Sequence, residues 1–253
     1  MKIKKLCLAI SAGMLLASSN SVLAQEDNAH MLRMVRLDVK VGHTSAFREA
    51  MRAYNDCYTE NGGESSWSVW SNVTGAGDYY YLVSRMDNYA EMGEQDEASR
   101  ECWPMAEEQI MPHISQFEAR YARFMPDWSG EYSDSTVVEL HQFRVEDGRE
   151  FRETVGEITN ILKEADHPHM GAWYRNLHSS SNQPNYFVVS RYADFAAMDE
   201  ERPSAYRGVA DAAGEERADE LWDAFGDSLH EDWEYRSELL ARIPSLDMNI
   251  GED

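Results

Sequence analysis

The sequence is poor in several features by which protein function is usually recognised. It has three cysteines and seven prolines in 253 residues. Beyond its N-terminal segment, no stretch reaches the roughly 20 apolar residues that a membrane-spanning helix needs. A glycine-rich phosphate loop, a Gly-x-Ser-x-Gly elbow and a His-Glu-x-x-His motif are all absent from the sequence. These absences argue against phosphoryl transfer, triad-type hydrolysis and zincin chemistry.

Positive charge is also scarce. The chain has 23 lysines and arginines against 46 aspartates and glutamates, which gives a formal net charge of -23. Such a field repels nucleic acid phosphates and anionic lipid surfaces, so we expect neither a nucleic acid nor a membrane as partner. The acidity is compatible with attraction of a cationic ligand, but a solvated acidic surface is the simpler interpretation.

The first 24 residues have the pattern of a secretory signal peptide. Three lysines precede an apolar stretch at residues 6–17, and a small-residue cleavage site ends at Ala24. We therefore expect a periplasmic or secreted mature protein that begins at Gln25. Loss of the three lysines would bring its net charge from -23 to -26.

Two cysteines, Cys57 and Cys102, remain in the predicted mature chain. An exported protein can oxidise such a pair to a disulfide. Cys57, however, occupies a core-facing position of a predicted helix, where a free thiol would act as a small hydrophobic side chain. Both states stay open from the sequence.

The most informative pattern is an internal repeat. Residues 80–92, YYLVSRMDNYAEM, return as residues 186–198, YFVVSRYADFAAM, without a gap. A match of this length indicates a duplication. After the signal peptide at residues 1–24, we therefore predict one repeat at residues 25–130 and a second at residues 131–253.

Each repeat has the predicted order β-α-β-β-α-β. Apolar residues recur at helical spacing in the helices and alternate in the strands. In the first repeat, residues 110–121 follow the helical spacing, but the last turn of this helix overlaps the strand that we predict around residues 118–125. The corresponding strand of the second repeat is predicted around residues 234–243. The second repeat also has extra residues around 200–220 that we expect to add a helical turn or lobe. The strands are apolar on both faces, so each sheet needs a cover besides its own helices.

The predicted fold class is therefore α+β. We expect two tandem β-α-β-β-α-β ferredoxin-like repeats whose antiparallel sheets pack into one pseudo-dimeric α/β barrel, with four helices outside. The first loop of each repeat bears a glycine, at Gly42 and Gly148, and the third strand ends in Ser-Arg-x-x-x-[Tyr/Phe]-Ala. With these features the chain resembles the dimeric α/β-barrel superfamily, nearest to antibiotic-biosynthesis-monooxygenase-like and NIPSNAP-like proteins.

The resemblance implies a ligand-sized lumen between the two sheets. Members of the superfamily include cofactor-free monooxygenases, isomerases, cyclases and haem enzymes such as chlorite dismutase, besides proteins with no known activity. A shared fold does not specify which of these reactions, if any, the chain performs.

Arg85 and Arg191 are the clearest candidates for ligand binding, because both repeats place an arginine at the same point of a strand. If that face lines the lumen, the two guanidinium groups could clamp a carboxylate or another oxyanion. Alternatively, both lie near strand ends and pair with local acids such as Asp87 and Asp194.

Trp70 and its counterpart Tyr174 share one strand face, and an aromatic wall suits a planar organic ligand, although such residues are also common in plain cores. His141 stands where the first repeat has Leu37. It could act as a base or a haem ligand, or it could be a structural histidine with satisfied hydrogen bonds. We take His141 as the best candidate for a catalytic residue and expect an active site, if there is one, in the second repeat.

His167 and His169 are spaced as metal ligands on an extended segment, but no third ligand can be identified, so we predict no metal site. The expected function is binding of a small aromatic or oxygenated organic molecule, without a cofactor and in the monooxygenase-like manner that the resemblance implies. The alternatives are a haem-binding barrel that uses His141, and a non-catalytic module whose lumen is filled by its own side chains. Homo-oligomer formation is left open.

Overall fold

The barrel follows from strands that are apolar on both faces. The computed structural model describes residues 29–180, 183–232 and 236–248, and within them eight strands close into one antiparallel barrel. The predicted signal peptide lies outside the described residues. In chain order the strands are β1 (Met31–Val39), β2 (Ser68–Asn72), β3 (Asp78–Met86), β4 (Ile114–Phe124), β5 (Val137–Phe143), β6 (Ala172–Leu177), β7 (Tyr186–Tyr192) and β8 (Arg236–Arg242).

The strand order around the barrel is β1-β3-β2-β8-β5-β7-β6-β4, and β4 pairs again with β1. The first four strands stay together, as do the last four. The two halves are joined at their edges, where β2 pairs with β8 and β4 with β6. The α+β class and the antiparallel barrel that the sequence predicts are both confirmed.

Amphipathic helices cover the outside of the barrel. The described residues contain five α-helices, one more than expected, and none of them is both long and apolar enough to cross a membrane. Because two helices occupy the extra residues of the second half, the added lobe is helical, as predicted. The helices are α1 (Thr44–Glu60), α2 (Glu97–Met105), α3 (Gly148–Glu164), α4 (Ala205–Ala213) and α5 (Glu215–Asp227).

Alternation along the strands separates two apolar layers. One layer lies between the strands and the helices; in the first half it includes Leu37, Phe47 and Tyr80. The other fills the middle of the barrel with buried side chains from both halves. Its members include Met34, Tyr81, Leu140, Phe187 and Leu240.

One predicted boundary is wrong. The helix was expected to reach about residue 117, with a strand following around residues 118–125, but the strand β4 already begins at Ile114 and spans Ile114–Phe124. The strand pairs with β1 along its whole length, so β4 supplies the hydrogen-bond partners that one edge of β1 would otherwise lack. Apolar spacing alone could not reveal this tertiary requirement.

Cys57 and Cys102 form a disulfide, with their Cα atoms 6.0 Å apart. The bond joins α1 to α2 across 45 residues of sequence, and Cys102 is fully buried. Of the two states left open by the sequence, the structure therefore has the oxidised one.

Candidate functional site

Polar side chains enter the barrel at one of its two ends. We call the end at which β1 ends and β3 begins the upper mouth, and the opposite end the lower mouth. Arg36 and Asp38 lie on the inward face of β1, because the alternating neighbours Leu37 and Val39 pack beneath the helices. The Arg36 Nε donates a hydrogen bond of 2.8 Å to the Asp38 carboxylate.

Arg36 also contacts two tyrosines of β3. Its guanidinium carbon lies 3.9 Å from the centre of the Tyr79 ring, which is a cation–π geometry. It lies within hydrogen-bonding reach of the Tyr81 hydroxyl as well. Arg36 therefore connects the rim of the upper mouth to the tyrosines further inside.

Glu238 on β8 is the acceptor on which these tyrosines converge. The Tyr79 hydroxyl donates to its carboxylate at 3.0 Å and the Tyr81 hydroxyl at 3.2 Å, and the Gln142 Nε2 donates at 2.7 Å. Burial, followed by the negative charge of Glu238, raises the pKa of Tyr81 to about 12 and also raises that of Tyr79. At neutral pH both tyrosines are therefore protonated and can donate to Glu238.

A second ion pair lies on the inward face of β4. Arg120 binds Glu118 through two hydrogen bonds, of 2.9 and 3.0 Å, and these bonds lower the pKa of the Glu118 carboxyl. Gln183 donates a further hydrogen bond to Glu118. The buried Oδ1 of Asn176, on β6, has no hydrogen-bond partner among the described residues. Charged and polar groups of this density inside a barrel are costly to bury, which is typical of a functional site.

The upper mouth opens into a cavity with a volume of ≈ 460 Å³. This volume lies in the range of small-molecule sites. Arg36 and Asp38 belong to its lining, so the cavity and the hydrogen-bonded network share side chains. Other lining residues are Lys40, Gly77, Asp78 and Ser115.

Three of the predicted ligand-binding residues meet at the lower mouth. Arg85 and Arg191 lie on the inward faces of β3 and β7, near the ends of these strands. Burial raises the pKa of Tyr174, whereas the charge and hydrogen bond of Arg191 and the charge of Arg85 oppose the rise. Both guanidinium groups are therefore close to the Tyr174 hydroxyl.

The two arginines differ in their other partners. Arg85 is exposed and forms a long ion pair with Asp87, 3.7 Å between Nε and Oδ1, as the alternative interpretation of the sequence expected. Arg191 lies over the ring of Tyr132 instead, with its guanidinium carbon 4.9 Å from the ring centre. Its expected acidic partner, Asp194, accepts a hydrogen bond from the backbone of Ala197.

Trp70 faces inward from β2 and packs against the cluster in the middle of the barrel. Its indole Nε1 donates a 2.9 Å hydrogen bond to the Ser68 hydroxyl. Tyr174 is buried and stacks on Phe187, with ring centres 5.0 Å apart. The strand face shared by Trp70 and Tyr174 is thus the inward one, a point that the sequence left undecided.

His141 lies on the opposite, helix-facing side of β5, since its neighbours Leu140 and Gln142 face inward. Its Nε2 is 3.6 Å from the Glu139 carboxylate, and burial lowers its pKa in spite of that charge. A haem held inside the barrel through His141 does not fit this arrangement. We therefore derive no chemistry through a haem.

His167 and His169 lie near each other, with ring centres 6.4 Å apart. The described residues offer no group of three histidine, cysteine or acidic side chains that could hold a metal ion. The His167 ring packs closely against Gly208 of α4, where a Cβ atom would come within 2.5 Å of it.

The residues of the upper mouth were missed in the sequence. The alternation of β1, which places Leu37 and Val39 on one face, also places Arg36 and Asp38 together on the other. If that second face meets the other sheet, then these charges must lie inside the barrel. The alternation of β1 was therefore sufficient to predict that Arg36 and Asp38 lie inside the barrel. The contacts of Glu238 could not be predicted, because the pairing of β2 with β8 is not visible in the sequence.

No family model matches the chain, and no curated protein matches it significantly. Solved structures with a similar fold include a proposed monooxygenase from Lactobacillus acidophilus, with a TM-score of 0.51 and 11% identity, covering 85% of this chain and 94% of that one. A proposed monooxygenase from Fusobacterium nucleatum has a TM-score of 0.50 and 13% identity, with coverages of 85% and 92%.

A chlorite dismutase variant from Candidatus Nitrospira defluvii has a TM-score of 0.51 and 7% identity, and the match covers 86% of this chain and 92% of that one. At such low identities the likeness establishes the fold alone. The chain therefore has the dimeric α/β-barrel fold, and the resemblance noted in the sequence is confirmed at that level.

Proposed function

We propose that this dimeric α/β-barrel protein is exported and binds a small oxygenated organic molecule at the upper mouth. The single observation that supports this most is the joining of a cavity of ≈ 460 Å³ to a buried network of charged and hydroxyl groups through Arg36. Small-molecule sites combine such a volume with a few convergent polar groups.

The chemistry of the mouth favours a ligand with hydroxyl or carbonyl groups. Arg36 is a donor at the inner edge of the cavity, and Asp38 and Glu238 are acceptors. The Tyr79 ring is a planar surface on which an aromatic ligand could stack, either in place of the Arg36 guanidinium group or beside it. The middle of the barrel is filled by its own side chains, so we place the ligand at the mouth and not further down.

We also propose that the barrel consists of two tandem repeats. The strand order is β4-β1-β3-β2 in the first half and β8-β5-β7-β6 in the second, so equivalent strands hold equivalent places. This supports two ferredoxin-like repeats fused into one chain, with the mouth built from both. The disulfide between Cys57 and Cys102 supports export, since such bonds persist in oxidising compartments.

The resemblance also suggests an activity, a cofactor-independent monooxygenation. In such a reaction a substrate methylene becomes a carbonyl, one oxygen atom of O2 enters that carbonyl, and the other leaves as water. The substrate supplies all the electrons that reduce O2. Two carboxylates of this site could take the proton of an activated methylene: Asp38, which lines the cavity, and Glu238, which accepts hydrogen bonds from the two tyrosines behind it.

Binding is tested by calorimetric titration of the mature protein with naphthol, a small hydroxylated aromatic compound. We expect Arg36→Met to weaken binding about tenfold or more, because it removes a charged donor. Arg191→Met at the lower mouth and Arg207→Gln on α4 are matched controls and should bind as the wild type does. Loss of affinity in Arg191→Met with none in Arg36→Met would place the ligand at the lower mouth, with Arg85 and Tyr174.

A further inference from the structure

A second cavity lies on the outer surface, where the first half meets the second at the β4–β6 seam. Its volume is ≈ 230 Å³, and three arginines line it: Arg123 on β4, Arg175 on β6 and Arg152 on α3. The buried rings of Trp128 and Tyr186 form its apolar floor, 5.8 Å apart between ring centres. This cavity shares no lining residue with the cavity of the upper mouth.

The arrangement of the arginines is unfavourable without a ligand. Arg123 and Arg175 are directly opposite in the β4–β6 register, and like charges at such a position repel each other. Among the described residues, no carboxylate forms a salt bridge with Arg123, Arg152 or Arg175. In a chain with twice as many acidic as basic side chains, three neighbouring arginines that form no ion pair are unusual.

The nearby groups do not neutralise this charge. Arg123 donates long hydrogen bonds to the Ala29 carbonyl, at 3.4 Å, and to the Met31 sulfur, at 3.6 Å. Asp127 is the one acidic residue of the described lining. Asp147 caps α3 through its Oδ1. Hydrogen bonds from the α3 backbone lower the pKa of Asp147 most and the charge of Arg152 is a minor cause, so Asp147 offsets only the charge of Arg152, and without an ion pair.

We propose that this cavity binds a small organic oxyanion. Arg123, Arg152 and Arg175 hold its phosphate or carboxylate group, because planar guanidinium groups bind such oxyanions through paired hydrogen bonds. The Trp128 and Tyr186 floor receives the apolar part of the same molecule. The proposal does not depend on the ligand of the upper mouth.

Calorimetric titration of the mature protein with phenyl phosphate, benzoate and inorganic phosphate tests it. We expect both aromatic anions to bind, and the tighter of them to show whether the site prefers phosphate or carboxylate. Inorganic phosphate should bind more weakly than phenyl phosphate, since it cannot contact the aromatic floor. Equal affinity of the two phosphates would overturn the role of the floor.

Three variants separate this site from general charge effects. Arg175→Gln and Arg152→Gln, both at exposed positions, should each weaken phenyl phosphate binding about tenfold or more. Asp127→Asn should tighten it several-fold, because it removes the one acidic charge from the lining. Arg207→Gln, on α4, is the matched control with no expected effect.

Thermal unfolding shows whether a variant loses binding because it loses the site or because it is less stable. Without an anion, Arg175→Gln should have the same or a higher Tm than the wild type, because it relieves the repulsion with Arg123. Phenyl phosphate should raise the Tm of the wild type and not that of Arg175→Gln. Wild-type affinity in both arginine variants, or no binding of any of the anions to the wild type, would overturn the proposal.

Discussion

Glu238 accepts the hydrogen bonds that hold together the polar network inside the upper mouth. It accepts hydrogen bonds from two tyrosines and one glutamine, and these donors come from β3 and β5. Glu238 is half-buried, and a carboxylate withdrawn from water is stable when it is paired or hydrogen-bonded, so its three donors offset the cost of its partial burial. Its charge is also the second largest cause, after burial, of the raised pKa of Tyr81.

Replacing Glu238 with glutamine should lower the pKa of Tyr81. The folded protein holds the Tyr81 proton up to a pKa of about 12, against an ordinary value of 10.0. The stability linked to this proton is complete below about pH 10 and is lost as the pH rises to about 12. In Glu238→Gln, Tyr81 should ionise at a lower pH, as spectroscopic titration of tyrosinate measures. Its alkaline loss of stability should still begin near pH 10, but it should be smaller and complete at a lower pH than in the wild type, as alkaline unfolding measures.

The control for this titration is Glu153→Gln, on the exposed surface of α3. It changes the net charge by the same amount without touching either tyrosine. Identical tyrosinate titrations for the two variants would mean that Glu238 does not control the ionisation of Tyr81.

For single residues, the sequence predicts which residues share a face of a strand, but it does not predict their tertiary contacts. Alternation places Arg85, Arg191, Trp70 and Tyr174 on one face, and the structure has all four facing inward. It cannot say that His141 would face the helices, because a strand with apolar residues on both sides has no distinctive outer face. Contacts such as Tyr81 with Glu238 join residues far apart in sequence and depend on barrel closure.

Among the elements, α1 and α2 are held together by the disulfide. It closes a loop of 45 residues, for which chain entropy gives a stabilisation of about 4 kcal/mol. We therefore expect Cys57→Ser/Cys102→Ser to lower the free energy of unfolding by about 2–4 kcal/mol. Urea denaturation of the mature protein measures the difference.

Reductant serves as the control. It should shift the urea midpoint of the wild type towards that of the double variant and leave the double variant unchanged. If the oxidised wild type and the double variant unfold at the same urea concentration, the disulfide contributes nothing to stability.

Local patterns predict those elements best whose apolar face packs within the same half. The helical spacing of Phe47 and Met51, and of Phe151 and Val155, predicts α1 and α3, whose buried faces contain these residues. For β4, the spacing of Ile114, Phe117 and Tyr121 fits a helix, yet pairing with β1 and β6 decides the structure. Tertiary hydrogen bonds outweigh local periodicity there.

For the whole molecule, the duplication is the feature from which the barrel could be predicted. Two copies of one unit, each with an uncovered sheet face, require each other as partners. The two halves contribute different side chains to the upper mouth. Arg36, Tyr79 and Tyr81 come from the first half, whereas Gln142 and Glu238 come from the second.

The central claim is that the upper mouth binds a small oxygenated aromatic compound. Nuclear Overhauser contacts between naphthol and the isotope-labelled mature protein test it most directly. Contacts to Tyr79 and Ser115, lost in Arg36→Met and kept in Arg191→Met, are the predicted result. Contacts confined to the lower mouth, around Tyr174, or no contacts at all at saturating naphthol, would contradict the account.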